Sequence, residues 1–440
     1  MQRKMMENLI KWRDSNQRKP LLLKGVRQVG KTYLLKEFGK THFGHCHYFN
    51  FEKQPDLAAI FEQDFDPKRI LSALSFYANA PIKAGEDLVI FDEIQEAPRA
   101  LTSLKYFAED LQQLHLCAAG SLLGLHLGAA SFPVGKVTFE TLRPLSFEEF
   151  LLATNDKALP FLQNLPSNGA IPEIVHIHLW EALKHYFVVG GLPEVVATYC
   201  EKRENLFDAF SEVRKKQSDL INSYYADIAK HAGKVNAMHI ERLLLSVPSQ
   251  LSLSQDGSTN RFKFKGVVPG ISHYDRLAGA IDWLEAAGLV VKVKIASTGA
   301  LPLGGHTKEN FFKLLLFDVG LLGSMSALPP KTLLDADYGS YKGYFAENFV
   351  AQELLAAGHE PLTCWQEGKS EIEFLVEQEG AIIPLEVKSG KVTKAASLKI
   401  FAQKYNPPYQ LIFSAKPLKI NHSIRYCPLY LTGLFSIRKR

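Results

Sequence analysis

The residues best placed to do chemistry in this 440-residue chain begin at Gly25. Gly25, Val26, Arg27, Gln28, Val29, Gly30, Lys31 and Thr32 fit the Gly-x-x-x-x-Gly-Lys-Thr pattern of a phosphate-binding loop, and Tyr33 follows it. The glycines let backbone N–H groups approach phosphate oxygens, Lys31 offers a cation to the β and γ oxygens, and the Thr32 hydroxyl suits Mg²⁺. Further along, Leu88-Val89-Ile90-Phe91 runs into Asp92 and Glu93. Asp92 is suited to the Mg²⁺ shell and Glu93 to orienting an attacking water. The two stretches together predict ATP and Mg²⁺ as cofactors, with residues 25–33 binding the nucleotide, Thr32 and Asp92 holding the metal, and Lys31 and Glu93 catalytic.

These groups need elements to hold them. Short apolar runs at Leu21–Gly25, His47–Phe51, Leu88–Phe91, Leu114–Ala118 and Val137–Phe139 alternate with segments of helical spacing, such as 101–113. That alternation predicts a parallel sheet with crossover helices, and ligands of such sheets lie beyond the carboxyl ends of the strands. Asp92 and Glu93 emerge at such an end. From Ile174 to about Ala232 the pattern is helical, broken by Gly190-Gly191-Leu192-Pro193. Residues 235–295 suggest two helices and a hairpin-like tail, with a capping box at 272–275 and a stop at Gly288. A winged helix or a small helical packing module fits that segment.

A second group of charged residues lies near the C-terminus. Glu347 sits in a predicted helix, Glu371 and Glu373 share one face of a predicted strand, and Glu386 and Lys388 share one face of the next, with Glu379-Gly380 between them. Two carboxylates about 5 Å apart repel by roughly 3 kcal/mol at an effective dielectric of 20, so facing pairs need Lys388 or a divalent cation. An amphipathic hairpin with a solvated charged face remains the alternative.

With these residues in view, the stretch 21–152 resembles AAA-type ATPases. The resemblance implies that Ser121, after Gly120, senses the γ-phosphate, and it makes Arg143 either an arginine finger or part of a turn beside Pro144. Residues 132–135 and 143–150, Gly190-Gly191-Leu192-Pro193-Glu194 and Leu316-Phe317-Asp318-Val319-Gly320-Leu321-Leu322 resemble the prokaryotic members that carry a long C-terminal region. In that region Glu347, Glu373, Glu386 and Lys388 resemble the PD-(D/E)XK restriction-endonuclease-like site. That resemblance implies Mg²⁺ and phosphodiester chemistry, but the extra methylene of Glu373 against the usual Asp displaces the metal position and puts cleavage in question. An active nuclease, a binding domain that does not cleave, and a protein-interaction latch stay open.

Composition bounds the rest. The chain is too long for one core, and four segments are expected: an ATPase core at 1–160, a helical lid at 161–234, a winged-helix-like domain at 235–303 and a nuclease-like α/β domain at 304–440. The apolar share of 46% suits a globular protein. The N-terminal Met-Gln-Arg-Lys lacks a secretory pattern and no run suits a bilayer, so a cytoplasmic protein without a membrane partner is expected. Five dispersed cysteines predict reduced, mostly buried thiols. The net charge is +5. From Ala381 onward eleven Lys and Arg face one acidic residue, a local +10, which leaves −5 for the first 380 residues. That asymmetry predicts a nucleic-acid partner for the C-terminal domain. A homo-oligomer is possible for this class.

Overall fold

The computed structural model describes the chain except residues 122, 124–132, 134, 165–170, 256–260, 336–340, 391–395, 422 and 436–440. Phe132 and Val134, cited for the resemblance, and Lys391 and Lys394 of the basic tail therefore lie outside the described residues. Among the described residues no helix is long and apolar enough to cross a membrane. All five cysteines are free, and three of them are buried.

The fold is α/β. Contacts divide it into two compact units, Met1–Arg143 with Ala286–Gly288, and Pro144–Glu285 with Leu289–Arg440. In the first, β1 (Leu21–Lys24), β2 (Cys46–Asn50), β3 (Leu88–Asp92), β4 (His115–Ala119) and β5 (Thr138–Thr141) form a parallel sheet in the order β2-β3-β4-β1-β5. β3 and β4 are buried at every residue, as near-continuous apolar strands of a parallel sheet should be. α1 (Met5–Arg13) precedes the sheet, and the crossovers are helical, among them α2 (Lys31–His42), α3 (Pro67–Tyr77) and α4 (Pro98–Asp110). Phe91 anchors one face of the core, with its ring 5.5 Å from Phe51 and 5.7 Å from Phe61, both edge-on. Burying such a ring is worth about 2–3 kcal/mol.

The second unit is built on one eight-stranded sheet. Its strands β6 (Val290–Ala296), β7 (Thr307–Leu316), β8 (Thr363–Glu367), β9 (Ser370–Gln378), β10 (Ala381–Val387), β11 (Gln410–Ser414), β12 (Lys419–Ile420) and β13 (Ile424–Pro428) run in the order β12-β13-β11-β10-β9-β8-β6-β7. The β9–β10 hairpin turns through Glu379 and Gly380, both at positive φ, with Gln378 paired to Ala381. Two left-handed residues in a two-residue loop match the right-handed twist of the strands.

This division differs from the four expected segments. β6, placed by sequence in the winged-helix-like segment, pairs with β7 on one side and β8 on the other, so the sheet runs across the 303/304 boundary. Both edges of β6 need partners, and the wing of a separate domain would have left one unpaired. The expected capping box is also absent: residues 274–276 form a short 3₁₀ turn without a side-chain cap, and the α-helix begins at Ala278.

One buried carboxylate ties the second unit together. Asp318 is fully buried. Its Oδ2 accepts from the Gly191 N–H at 2.7 Å and its Oδ1 from the Leu321 N–H at 3.0 Å. Gly190 has φ +76°, and a Cβ there would lie 2.2 Å from Asp318 Oδ1, so only glycine fits. The Gly191 carbonyl in turn accepts from Leu145 N–H at 2.7 Å. The helix Tyr341–Ala356 completes the junction. Asn348 bonds both the N–H and the carbonyl of Leu316, at 2.8 and 2.9 Å, and Gln352 accepts from Val319 N–H at 3.0 Å and donates to the Tyr186 hydroxyl at 2.7 Å. The Gly190-Gly191 and Asp318–Gly320 motifs are thus two halves of one packing joint.

Burial pushes the Asp318 carboxyl up to about 6, against the backbone N–H groups that favour its charged form. Between its unfolded value near 4 and about 6 the folded state holds more protons, so this group adds stability as pH falls through that window and loses it as pH rises. Asp318→Asn turns one acceptor into a donor facing an N–H and is expected to cost roughly 1–3 kcal/mol at pH 7. The gap between wild type and variant should widen from pH 7 to pH 5 in urea unfolding. A gap that narrows would mean that the carboxylate is held charged instead.

Candidate nucleotide site and carboxylate cluster

The phosphate-binding loop takes its shape from three positive φ angles, at Gly25, Gln28 and Gly30. A Cβ on Gly25 would come within 2.4 Å of the Leu142 carbonyl oxygen. Gly30 caps α2 in the left-handed conformation, so the helix and its positive end start at Lys31. Lys31 is buried, and its Nζ donates to the Gly25 carbonyl at 2.8 Å and the Val26 carbonyl at 3.1 Å. Burial brings its pKa down to about 8, while Glu93 and Asp92 oppose the shift. Arg3 braces the loop from α1's N-terminal side: its guanidinium donates to Val29 O at 3.2 Å and to Arg143 O at 2.5 Å.

Asp92 ends β3 with 2% exposure. Its Oδ2 accepts from the Thr32 hydroxyl at 2.8 Å and the Tyr48 hydroxyl at 2.7 Å, and its Oδ1 from the Glu93 N–H at 3.1 Å. Tyr48 comes from β2, where Asn50 Nδ2 donates to its hydroxyl at 3.0 Å and the Lys36 ammonium stands 3.5 Å from its ring centre. Burial, and then the bond to Asp92, push the Tyr48 phenol up and keep it protonated. Sequence reading missed Tyr48. The available signal was alternation in β2, which puts Tyr48 on the same face as Asn50, with Asn50 in register with Asp92.

Glu93 has φ +50°, a conformation that costs a non-glycine residue of order 1 kcal/mol. Gln95 Nε2 donates to its Oε2 at 2.6 Å. Gly120, just after β4, leaves the room for this: a Cβ there would meet Gln95 Oε1 at 2.2 Å. Ser121 is the half-buried residue at the following bend. The structure therefore brings Lys31, Thr32, Asp92 and Glu93 together. The Tyr33 side chain is 56% exposed, with its hydroxyl 3.3 Å from the N-terminal nitrogen.

In the second unit the sequence-chosen carboxylates also meet, but in two pairs, each with its own lysine. Lys388 contacts Glu386 and lies 3.9 Å from Glu373, whose Oε2 accepts from the Val387 N–H at 3.1 Å. Glu347 does not reach Lys388. It accepts instead from Lys313 Nζ of β7 at 2.8 Å, and Lys313 also contacts Glu371. Lys313 was not singled out from the sequence, although a lysine inside Phe311-Phe312-Lys313-Leu314-Leu315-Leu316 is a visible interruption. Burial raises the Glu373 carboxyl far above its usual range, helped by Glu386, and burial raises Glu386 against the pull of Lys388. Burial alone would lower Lys313, but Glu347 and Glu371 outweigh it and push it well up. Among the described residues no group of three or more His, Cys, Asp and Glu is placed to hold a metal ion.

Residues 17–151 match the family described as an AAA domain, residues 180–332 a domain of unknown function (DUF8612) and residues 342–431 another (DUF4143). No curated protein matches. Among solved structures the chain is similar to a Walker-type ATPase of Pyrococcus abyssi, at 14% identity and TM-score 0.46, covering 74% of this chain and 95% of that one. It is also similar to the Aeropyrum pernix ORC1 protein in complex with DNA, at 14% identity and TM-score 0.29 over 75% of this chain and 92% of that one. The AMPPCP-bound DnaA of Aquifex aeolicus gives 14% identity and TM-score 0.28 over 64% and 85%. The loop and the strand carboxylates both lie within the stretch that matches an AAA domain.

Tyr48→Phe removes one of two hydroxyls that satisfy a buried carboxylate oxygen. Since bonds to charged groups are worth about 1.5–3 kcal/mol, that is the stability loss expected in urea unfolding of the full chain. Thr32→Val should cost a similar amount, and the double variant less than the sum, because both donate to one oxygen. Strict additivity would separate the two bonds.

Proposed function

We propose that this protein is an ATP-hydrolysing switch whose nucleotide state governs a nuclease-like, nucleic-acid-binding C-terminal unit. The observation that carries the ATPase part is Asp92 Oδ2 at 2.8 Å from the Thr32 hydroxyl, beside Lys31. The two oxygens fit a Mg²⁺ site, and a bound ion would draw charge from the β- and γ-phosphate oxygens. The chain's own residues do the remainder. The loop N–H groups and the end of α2 bind phosphate, and Lys31 exchanges its two loop carbonyls for phosphate oxygens. Glu93, held by Gln95, orients a water in line with the γ-phosphate, and Ser121 faces the same group as a polar sensor. Arg3 holds the loop in place, since one guanidinium donates to the carbonyls of both Val29 and Arg143. Arg143 is read as part of the turn at Pro144.

Nucleic-acid binding is supported by one surface feature. Arg261 and Lys308 lie over the half-buried Phe311 ring, 4.4 and 5.6 Å from its centre, two cations that suit phosphates around an aromatic they would uncover for an unstacked base.

Lys31→Ala should abolish ATP binding, whereas Glu93→Gln should bind ATP and hydrolyse it at least ~10-fold more slowly. Undiminished turnover in Glu93→Gln removes that residue from the mechanism. Binding to single-stranded DNA or RNA should weaken at least ~10-fold between about 50 and 200 mM salt, and Arg261→Glu with Lys308→Glu should lower it most at low salt. Salt-independent binding, or none, favours a protein-interaction latch.

A further inference from the structure

The divalent metal that a nuclease-like site implies does not fit the carboxylates as they stand. Glu347 and Glu371 share Lys313, and Glu373 and Glu386 share Lys388, so two ammoniums already serve the four carboxylates, three of them at contact distance and Glu373 at 3.9 Å. Two buried carboxylate oxygens of the cluster have no hydrogen-bond partner, Glu371 Oε1 beside Lys313 and Glu386 Oε2 beside Lys388, and Glu386 itself is 4% exposed. Two oxygens, each already beside a lysine ammonium, fall short of the shell of oxygens that Mg²⁺ or Mn²⁺ requires.

We propose that Lys313 is a built-in cation that replaces the divalent metal of this cluster, so that the site is metal-free by construction. The proposal rests on the nuclease-like reading of the C-terminal unit and is independent of the ATPase reading. Lys388 belongs to the strand pattern expected of a cleaving site; Lys313 does not. It rises from β7, where it stands opposite Val293 of β6, and its side chain is 9% exposed. Its neighbours Phe312 and Leu314 are buried in the sheet, so the ammonium is delivered to the carboxylates by a rigid strand. A metal must pay the entropy of capture and shed its water, and a tethered ammonium does neither. Its presence also places a positive charge within about 3 Å of two oxygens that a metal would need, which repels a second cation. The unsatisfied oxygens of Glu371, beside Lys313, and of Glu386 are the ones left for a metal shell if that charge were gone.

The test uses the full chain and Mn²⁺ as the probe, with free ion followed by electron paramagnetic resonance. Wild type and Glu386→Gln should bind the same number of Mn²⁺ ions, since any ion held belongs to the nucleotide site. Lys313→Met should gain one further ion, at least ~10-fold tighter than any C-terminal binding by wild type, and Lys313→Met with Glu386→Gln should lose it. Lys313→Arg keeps the cation and should gain nothing. If Lys313→Met fails to fold by circular dichroism, Lys313→Met with Glu371→Gln removes one charge of each sign and answers to the same two outcomes. The proposal is overturned if wild type binds an ion that Glu386→Gln abolishes, or if a folded Lys313 variant gains none. ATP turnover, read in the same samples, stays at the wild-type level in either case unless the ATPase reading itself fails.

Discussion

Burying a carboxylate is the constraint on which the rest of this molecule depends. Left unpaired, such a group costs several kcal/mol, so the chain around it must supply donors. Asp92 illustrates the local consequence. To satisfy one side chain at 2% exposure, β2 contributes Tyr48, α2 contributes Thr32 and the strand end contributes the Glu93 N–H. Those three elements therefore cannot move independently, and the geometry of the nucleotide site follows from a hydrogen-bonding requirement.

Buried carboxylates recur, and the chain satisfies them in three chemically different ways. Asp92 takes mainly hydroxyls, Asp318 takes backbone N–H groups, and the C-terminal glutamates take lysine ammoniums. The donor type decides what each site can do. Hydroxyls are neutral and can turn away, so a cation can displace them at Asp92. Backbone N–H groups are fixed, which makes Asp318 a structural joint whose proton responds to pH but whose partners do not change. Ammoniums carry the compensating charge themselves, and two of them among four glutamates lower the electrostatic demand that a metal would otherwise meet.

How much of this was legible in the sequence depends on the range of the interaction. The phosphate-binding loop, the Asp92–Glu93 strand end and the Glu379-Gly380 turn are local patterns and lie where they were expected, although β10 starts at Ala381, four residues before the expected Leu385. Tyr48 and Lys313 are separated from their partners by 44 and 34 residues, and nothing short of the strand order brings them together. The pairing of β6 across 303/304 was hidden for the same reason. The local spacing of β6 is that of a strand in any domain, and only its pairing with β8, far along the chain, assigns it to the eight-stranded sheet.

The charge count carries the same lesson further. The +10 of residues 381–440 suggested a polycationic domain, yet these residues fold with 144–380, where 21 Lys and Arg face 29 Asp and Glu. The whole second unit has 32 basic against 30 acidic residues, a net +2, and the first unit has 19 against 16, a net +3. Several tail cations are already engaged: Lys388 with Glu386 and Glu373, Lys404 with Glu367 at 2.5 Å, and Arg425 over the Tyr409 ring at 3.6 Å. A segment boundary that separates Lys404 from Glu367 manufactures an excess charge that the fold cancels. Long-range attraction of a polyanion scales with the net charge seen beyond a Debye length of about 8–10 Å, and at +2 that attraction is weak. Any nucleic-acid contact must therefore be local, made by cations held on an aromatic face rather than by the tail as a whole, and its strength is set by stacking as much as by phosphate neutralisation.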